Sequence, residues 1–267
     1  MNKPLAIIAG EPNSISSEII FKSWKIKKQY RHKPLFIIGS IKLLNVQMKK
    51  LKYKIAIKEI NKNFKIKDLL SNKLPVYNVD YTQKKPFDKI SSKSNKYIFK
   101  CFDVALKLVK NKKIIGFINC PVSKETLFRN KHQGITEFLS KKEKNASGEV
   151  MLIYNKDLSV CPITNHIPIN QVVKKICKST IIKKVKTINN FYKKIINKKP
   201  IFAILSLNPH NFFLSNKAKE KKIIISAINT LNKLRINVKG PIASDSSFMI
   251  SKKYNLDVLI GMYHDQV

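Results

Sequence analysis

The sequence has few acidic residues, few glycines and few cysteines, and each shortage narrows the choice of function. Asp and Glu number 16 against 53 Lys and Arg, a formal net charge of +37. Such a charge normally suggests a polyanionic partner. The lysines, however, are spread along the whole chain, without an Arg-rich stripe, an aromatic-interleaved basic segment or a zinc-finger spacing. We therefore expect no specific nucleic-acid partner, only weak and salt-sensitive binding.

The shortage of glycine excludes several common ligand sites. Only 7 glycines are present, and they form no Gly-x-Gly-x-x-Gly, no P-loop and no Gly-x-Ser-x-Gly nucleophile elbow. A Rossmann dinucleotide site, a P-loop NTPase and an α/β-hydrolase are therefore not indicated.

The cysteines and the apolar runs point away from secretion and from membranes. Cys101, Cys120, Cys161 and Cys177 are widely spaced and form no Cys-x-x-Cys pair, so we expect free thiols. No apolar run approaches the roughly 20 residues that span a bilayer. The segment Leu5–Ala9 is short and leads into a polar loop, which predicts a buried strand rather than a signal peptide. We expect a cytoplasmic protein without membrane contacts.

What the sequence does contain is an alternation of short apolar runs and amphipathic segments. Helical periodicity covers residues 96–111, 179–196 and 219–234. Strands that alternate with helices predict crossover connections, and hence a mostly parallel α/β/α fold. The polar, proline-containing stretch 78–95 predicts a mobile loop. The predicted strands are Leu5–Ala9, Leu35–Ile38, Ile114–Ile118, Leu158–Ile163, Ile201–Leu205 and Val258–Ile260.

Three of the five histidines follow predicted strands at the point where ligands bind in such folds. His166, His210 and His264 each come shortly after a strand. Imidazole is the commonest protein ligand of divalent transition metals, and three such ligands leave a coordination position for substrate. Each histidine taken alone is better explained by an incidental structural role. The three together, at equivalent positions on different strands, leave both explanations open.

Several short motifs carry a family resemblance. In their order and approximate spacing they are similar to signature segments of the 4-hydroxythreonine-4-phosphate dehydrogenase family, and the similarity runs from residue 5 to residue 267. The matching segments are Gly10–Pro12, Pro121–Lys124, Thr136–Phe138, Asn208–His210, Gly240–Asp245 and Tyr263–Gln266.

The resemblance implies a reaction and a metal site. The family oxidises 4-phosphooxy-L-threonine with NAD (or NADP) and decarboxylates the product to 3-amino-2-oxopropyl phosphate, in pyridoxal phosphate biosynthesis. It would make His166, His210 and His264 the ligands of a divalent metal (Zn, Co or Mg). His264 would reach the site of the neighbouring subunit, which implies a homodimer.

The resemblance also implies a two-domain, isopropylmalate-dehydrogenase-like fold with parallel sheets. We expect a first domain over 1–125, joined by 240–267, and a second domain over 126–239 that carries the metal ligands and dimer contacts. It assigns substrate binding to Thr136 and a catalytic position to Asp245. Without the resemblance, Asp245 is equally well explained as a turn or helix-cap carboxylate. The NAD-binding residues are not identified.

The sequence departs from the family at several positions. Ile135 stands where the family has a substrate-contacting histidine, and we hypothesise that His132 replaces it as a catalytic residue. Asn13-Ser14 and Phe212-Phe213 replace smaller residues. The family's chains also continue beyond the position of Val267 with phosphate-binding residues, so we expect either an incomplete reading of a longer protein or a shortened, inactive paralogue.

Three functions therefore compete at this stage. The first is the B6-pathway dehydrogenase, and the second is a related dehydrogenase of another phosphorylated four-carbon hydroxy-acid. The third is a non-catalytic polyanion-binding protein, against which the histidines argue because such binding needs no metal ligands.

Overall fold

The chain folds into two compact units, residues 1–135 and 136–267. Each unit contains its own β-sheet. The computed structural model describes residues 3–26, 33–128, 134–142, 149–165, 167–208 and 219–267.

The first unit alternates strands with helices along the chain. Its elements are β1 (Leu5–Ile8), α1 (Ser16–Lys25), β2 (Leu35–Gly39), α2 (Ile41–Lys50), β3 (Ile57–Ile60), α3 (Ile66–Leu69), β4 (Leu74–Asn78), α4 (Asn95–Lys110), β5 (Gly116–Asn119) and α5 (Lys124–Phe128). The five strands form one parallel sheet in the order β3-β4-β2-β1-β5. The strand order reverses beside β1, which has β2 on one side and β5 on the other. The loops after β1 and β5 meet there, with the Glu11 N–H donating to the Pro121 carbonyl at 2.9 Å, at the position where such sheets bind ligands.

The helix α4 shows how the sequence builds this unit. Its buried residues Ile98, Cys101, Phe102 and Ala105 recur at spacings of three, one and three, which places them on one helix face. The predicted helix over 96–111 is thereby confirmed to within one residue at each end.

The second unit repeats the alternation around a four-stranded parallel sheet. Its elements are α6 (Ile135–Lys142, which begins at the unit boundary), β6 (Ser159–Thr164), α7 (Ile169–Lys175), α8 (Lys178–Phe191), β7 (Phe202–Leu205), α9 (Lys219–Lys233), β8 (Val238–Ile242), α10 (Ser247–Lys253) and β9 (Val258–Tyr263). A π-helical turn, Tyr192–Ile196, extends α8. The strand order is β6-β9-β7-β8.

The larger core cluster of the second unit lies between one face of this sheet and its helices, and a smaller cluster with Ala203, Leu205 and Leu259 covers the other face. Ile181 and Val185 of α8 and Leu231 of α9 are fully buried in the larger cluster against Ile204 and Ile260 of the sheet. Lysines occupy the outer positions of these helices, as the sequence pattern predicts.

The domain assignment made from the sequence differs from the structure in two respects, the boundary and the placement of the last segment. The division falls at 135/136, and residues 240–267 lie in the second unit rather than with the first. The physical reason is that β8 hydrogen-bonds to β7, and β9 to both β6 and β7. The predicted two-unit α/β fold with parallel sheets is confirmed. None of the described helices is long and apolar enough to span a bilayer.

Candidate functional site

The carboxyl ends of the second sheet bring several predicted site residues to one edge. β9 lies between β6 and β7, and it leads directly into His264 and Asp265. β8 borders β7 on the far side and leads into the turn with Asp245. The structure therefore places His264 and Asp245 at the same edge of one sheet, where parallel α/β folds bind their ligands.

His264 opens a short 3₁₀ turn, His264–Gln266, that follows β9. Its Nδ1 lies 3.3 Å from Oδ1 of Asp265, and 46% of its side chain is exposed. A carboxylate beside Nδ1 favours the tautomer with the proton on Nδ1, in which Nε2 carries the lone pair that a ligand or base uses.

A cleft of about 190 Å³ opens beside His264. Ile167, Ile169 and Val172 supply apolar walls, while His264 and Asp265 supply the polar groups. A cleft with apolar walls and a few convergent polar groups is typical of small-molecule sites. Thr164 and Tyr263 complete the lining.

Asp245 lies in the turn between β8 and α10, and its side chain is exposed. Serines, not Asp245, close this turn, since Ser246 is the N-cap residue of α10 and Ser247 Oγ donates to the Ser244 carbonyl at 2.7 Å. The alternative explanation of Asp245 as a helix cap is therefore not supported. Its carboxylate remains available at the edge.

The other predicted site residues have different outcomes. Thr136 is an exposed residue in the first turn of α6. His132, His166 and His210 lie outside the described residues, so their assignments stay predictions. By sequence, His166 follows β6 by two residues and His210 follows β7 by five.

The donor set that the sequence predicts for this edge would suit a divalent transition metal. The two strands that lead toward His166 and His210 are the two neighbours of β9, which leads into His264. Beside His166 in sequence, Asn165 has a buried Oδ1 without a hydrogen-bond partner. Three imidazoles from adjacent strand ends are a suitable donor set for Zn or Co. Among the described residues alone, no three His, Cys, Asp or Glu side chains are grouped closely enough to hold a metal.

Hydrogen bonds, most of them from side chains, connect the ends of the four strands, and the sequence interpretation gave them no role. Thr164 Oγ1 donates to the Met262 carbonyl at 2.8 Å. Gln266 Oε1 accepts from the Met262 backbone N–H at 2.7 Å, and Gln266 Nε2 donates to the Ser206 carbonyl at 2.6 Å. The Ser206 N–H donates in turn to the Ile242 carbonyl at 2.8 Å. We call this set, made by Thr164, Met262, Gln266, Ser206 and Ile242, the edge belt.

The carboxyl edge of the first sheet holds a buried carboxylate that sequence reasoning also missed. Glu11 is 1% exposed and accepts hydrogen bonds from Ser94 Oγ at 3.0 Å and from the Asn13 N–H at 3.2 Å. Burial raises the pKa of Glu11, although these two hydrogen bonds act in the opposite direction. Glu11 could have been identified from the sequence, because it directly follows a predicted strand and lies within the motif Gly10–Pro12.

The loop after β1 also shows how the structure accommodates Asn13, which stands where the family has a smaller residue. The positive φ of the turn, +72°, falls on Gly10, and Asn13 has no positive φ. Asn13 Oδ1 instead accepts from Gln83 Nε2 and from the Asp88 N–H, both at 2.9 Å. The stretch 78–95, predicted as a mobile loop, is therefore anchored to the β1–α1 loop.

Comparison with known proteins identifies the family of the chain independently of the site geometry. The family model described as "Pyridoxal phosphate biosynthetic protein PdxA" matches residues 31–267. A 4-hydroxythreonine-4-phosphate dehydrogenase of Sulfurihydrogenibium sp. is 33% identical over 98% of this chain and 80% of its own length. A protein of Oceanobacillus iheyensis, provisionally named a D-threonate 4-phosphate dehydrogenase, is 27% identical over 99% of this chain and 81% of its own.

A solved structure of a protein with the same enzyme name has a similar fold. The crystal structure of a 4-hydroxythreonine-4-phosphate dehydrogenase from Burkholderia phymatum superposes with a TM-score of 0.85 at 22% identity. The match covers 100% of this chain and 82% of that one.

Proposed function

Because the chain belongs to the family of the pyridoxal phosphate biosynthetic protein PdxA, we propose that it oxidises and decarboxylates 4-phosphooxy-L-threonine to 3-amino-2-oxopropyl phosphate. The oxidant is NAD, and a divalent metal is required. The named relatives are dehydrogenases, which supports an oxidoreductase. The single structural observation that carries the proposal is the adjacency of the strand ends that lead into His264 and toward His166 and His210.

The metal site would be formed by His166, His210 and His264. A divalent metal held there would supply Lewis-acid chemistry: it would lower the pKa of the substrate hydroxyl and would polarise the carbonyl that oxidation forms, which favours loss of CO₂. Asp265 orients the His264 imidazole through the contact at its Nδ1.

Asp245 supplies the acid–base function. The oxidation transfers a hydride from the substrate carbon to NAD⁺ and releases the hydroxyl proton, which needs an acceptor. The Asp245 carboxylate is exposed at the same sheet edge as His264 and accepts this proton. Thr136 donates a hydrogen bond to the substrate, and His132 assists where Ile135 cannot.

The assembly that we propose is a cytoplasmic homodimer. The exposure of His264 at 46% suits a ligand that is shared with a second copy of the chain.

The test is NAD reduction by the 267-residue chain with 4-phosphooxy-L-threonine, with Zn, Co or Mg supplied after chelation. We expect metal-dependent NADH formation, and a loss of about 10²-fold or more in kcat with Asp245→Asn because the proton acceptor is weakened. Ser244→Ala, in the same turn, is the matched control. Turnover that is unaffected by chelation would contradict the metal requirement.

A second candidate substrate is D-threonate 4-phosphate. The similarity to the Oceanobacillus iheyensis protein and the presence of Ile135 in place of histidine favour it. Measuring kcat/KM for both substrates separates the two functions. If neither substrate is oxidised while polyanions bind in near-physiological salt, the non-catalytic alternative gains support.

A further inference from the structure

The edge belt begins where the ladder between β7 and β9 ends. These strands pair in register as far as Ile204 and Ile260. Two residues further, the same register would pair Ser206 with Met262. There the side-chain amide of Gln266 lies between the two chains, accepting from the Met262 N–H and donating to the Ser206 carbonyl. A carboxamide carries one acceptor and one set of donors, as a peptide group does, so it continues the ladder across a wider gap.

The two residues that Gln266 connects, Met262 and Ser206, are themselves hydrogen-bonded to the remaining strands, β6 and β8. On one side, Thr164 at the end of β6 holds the Met262 carbonyl. On the other side, Ser206 is 5% exposed, its N–H reaches Ile242 at the end of β8, and its hydroxyl donates to the Asn208 carbonyl at 2.7 Å. Every loop that carries a predicted site residue of the second sheet therefore starts at the belt.

We propose that Gln266 is the positioning residue of the proposed metal site. It sets the spacing between the loop after β9, which carries His264, and the loop after β7, from which the chain continues toward His210. This inference rests on the proposed metal-dependent function. A ligand set drawn from separate strand ends requires the spacing of those ends to be fixed, and groups that orient ligands typically change metal affinity by about 10- to 100-fold.

The chain provides a matched control at the opposite end of the same sheet. Asn232 also uses both ends of its side-chain amide, here on a single residue, with Nδ2 donating to the Val238 carbonyl at 3.0 Å and Oδ1 accepting from the Val238 N–H at 2.9 Å. Val238 begins β8, so these hydrogen bonds lie at the amino end, away from the candidate site. Gln266→Glu and Asn232→Asp each keep the acceptor and lose the donor.

The experiment titrates the metal-free protein and both variants with Co²⁺, recording the affinity and the visible absorption spectrum of the bound ion. Melting temperatures of the metal-free proteins are measured in parallel. We expect Gln266→Glu to weaken Co²⁺ binding about 10- to 100-fold and to alter the spectrum. Asn232→Asp should lower the melting temperature to a similar extent and leave affinity and spectrum unchanged.

Equal Co²⁺ affinity and spectra for Gln266→Glu and the wild type would overturn the inference, and so would equal losses in both variants. If Gln266→Glu does not fold, Thr164→Val, which removes the other bond to Met262, should weaken Co²⁺ binding by a smaller factor, and wild-type affinity would overturn the inference. A wild-type protein that binds none of Co²⁺, Zn²⁺ and Mg²⁺ would overturn the proposed metal dependence itself, a separate outcome, and the inference with it.

Discussion

At the carboxyl edge of the first sheet, Glu11 is 1% exposed and is held by Ser94 and Asn13. At the same edge of the second sheet, His264 and Asp265 keep 46% and 87% of their side chains exposed. Both edges follow parallel strands and carry family motifs. The first edge uses its carboxylate, Glu11, to bind its own loops, whereas the second edge leaves His264 and Asp265 largely exposed to solvent beside its hydrogen-bonded belt. Position at a strand end therefore indicates where chemistry can occur, and burial decides whether the side chain is available for it.

The loop over residues 79–95 accounts for much of this difference. Ser40 Oγ donates to the Tyr81 carbonyl at 2.7 Å, and Gln47 Nε2 donates to the carbonyls of Pro12 and Pro86 at 2.7 and 2.9 Å. Tyr81 stacks on Tyr97 with ring centroids 4.8 Å apart. These contacts hold the loop against the β1–α1 loop, so the first edge is closed by its own chain.

The largest expected effect is on catalytic activity, which should fall much more when His264 of the second edge is changed than when Glu11 of the first edge is changed. We expect His264→Ala to lower kcat/KM for 4-phosphooxy-L-threonine by about 10³-fold or more, because it removes a proposed metal ligand. Its stability should change by less than about 0.5 kcal/mol, since the side chain is exposed. Steady-state kinetics and denaturant unfolding measure the two quantities. Glu11→Gln is the comparison, and a loss of activity as large as that of His264→Ala would contradict the distinction.

The next effect concerns the stability of the first edge. In Gly10→Ala, the added Cβ would lie 2.6 Å from the Pro121 carbonyl oxygen at a φ of +72°. We expect a loss of about 2–4 kcal/mol in the free energy of unfolding of the first unit, from steric strain and the unfavourable φ. Gly116→Ala is the control, because a Cβ there meets nothing within 4 Å. Similar unfolding midpoints for the two variants would contradict the close packing of the β1 and β5 loops.

A smaller effect tests the burial of Glu11 through pH. The folded state raises the pKa of this carboxyl above its ordinary value of 4.5. A raised pKa means that the stabilising contribution is complete below pH 4.5 and is lost as the pH rises through the folded-state pKa. Glu11→Gln cannot titrate, so its melting temperature should rise relative to the wild type as the pH increases above 4.5. A difference that is independent of pH would show that Glu11 is not desolvated.

The smallest effect concerns thiol chemistry. In the first unit, burial raises the pKa of Cys101 to about 12 and that of Cys120 to about 11. In the second unit, burial raises the pKa of Cys161 to about 11, while hydrogen bonds with Ser179 and Thr180 lower that of the exposed Cys177. We expect Cys177 alone to react rapidly with a disulfide reagent in native protein. Rapid labelling that persists in Cys177→Ser would contradict this.

Sequence patterns were sufficient for six of the nine described strands. β1, β2, β5, β6, β7 and β9 all overlap predicted apolar runs. In β7 and β9 these runs reflect burial on both faces of a parallel sheet, whereas β5 is an edge strand and is only partly buried. β3, β4 and β8 were not predicted. β3 includes Lys58 and Glu59, β4 includes Pro75, and β8 includes Lys239-Gly240-Pro241. β3 and β8 lie at sheet edges, where one side has no neighbouring strand and polar residues are tolerated.

The sequence by itself determined the fold class, the family and the identity of the groups available for chemistry, because these depend on local periodicity and on short motifs. Only the tertiary structure decided that residues 240–267 join the second sheet, that Glu11 is buried while Asp245 and Asp265 are exposed, and that Gln266 bridges β7 and β9. Each of these depends on contacts between residues far apart in the chain, such as the 60 positions that separate Ser206 from Gln266. No local pattern encodes such contacts, because strand order and side-chain burial are set only when the sheet assembles.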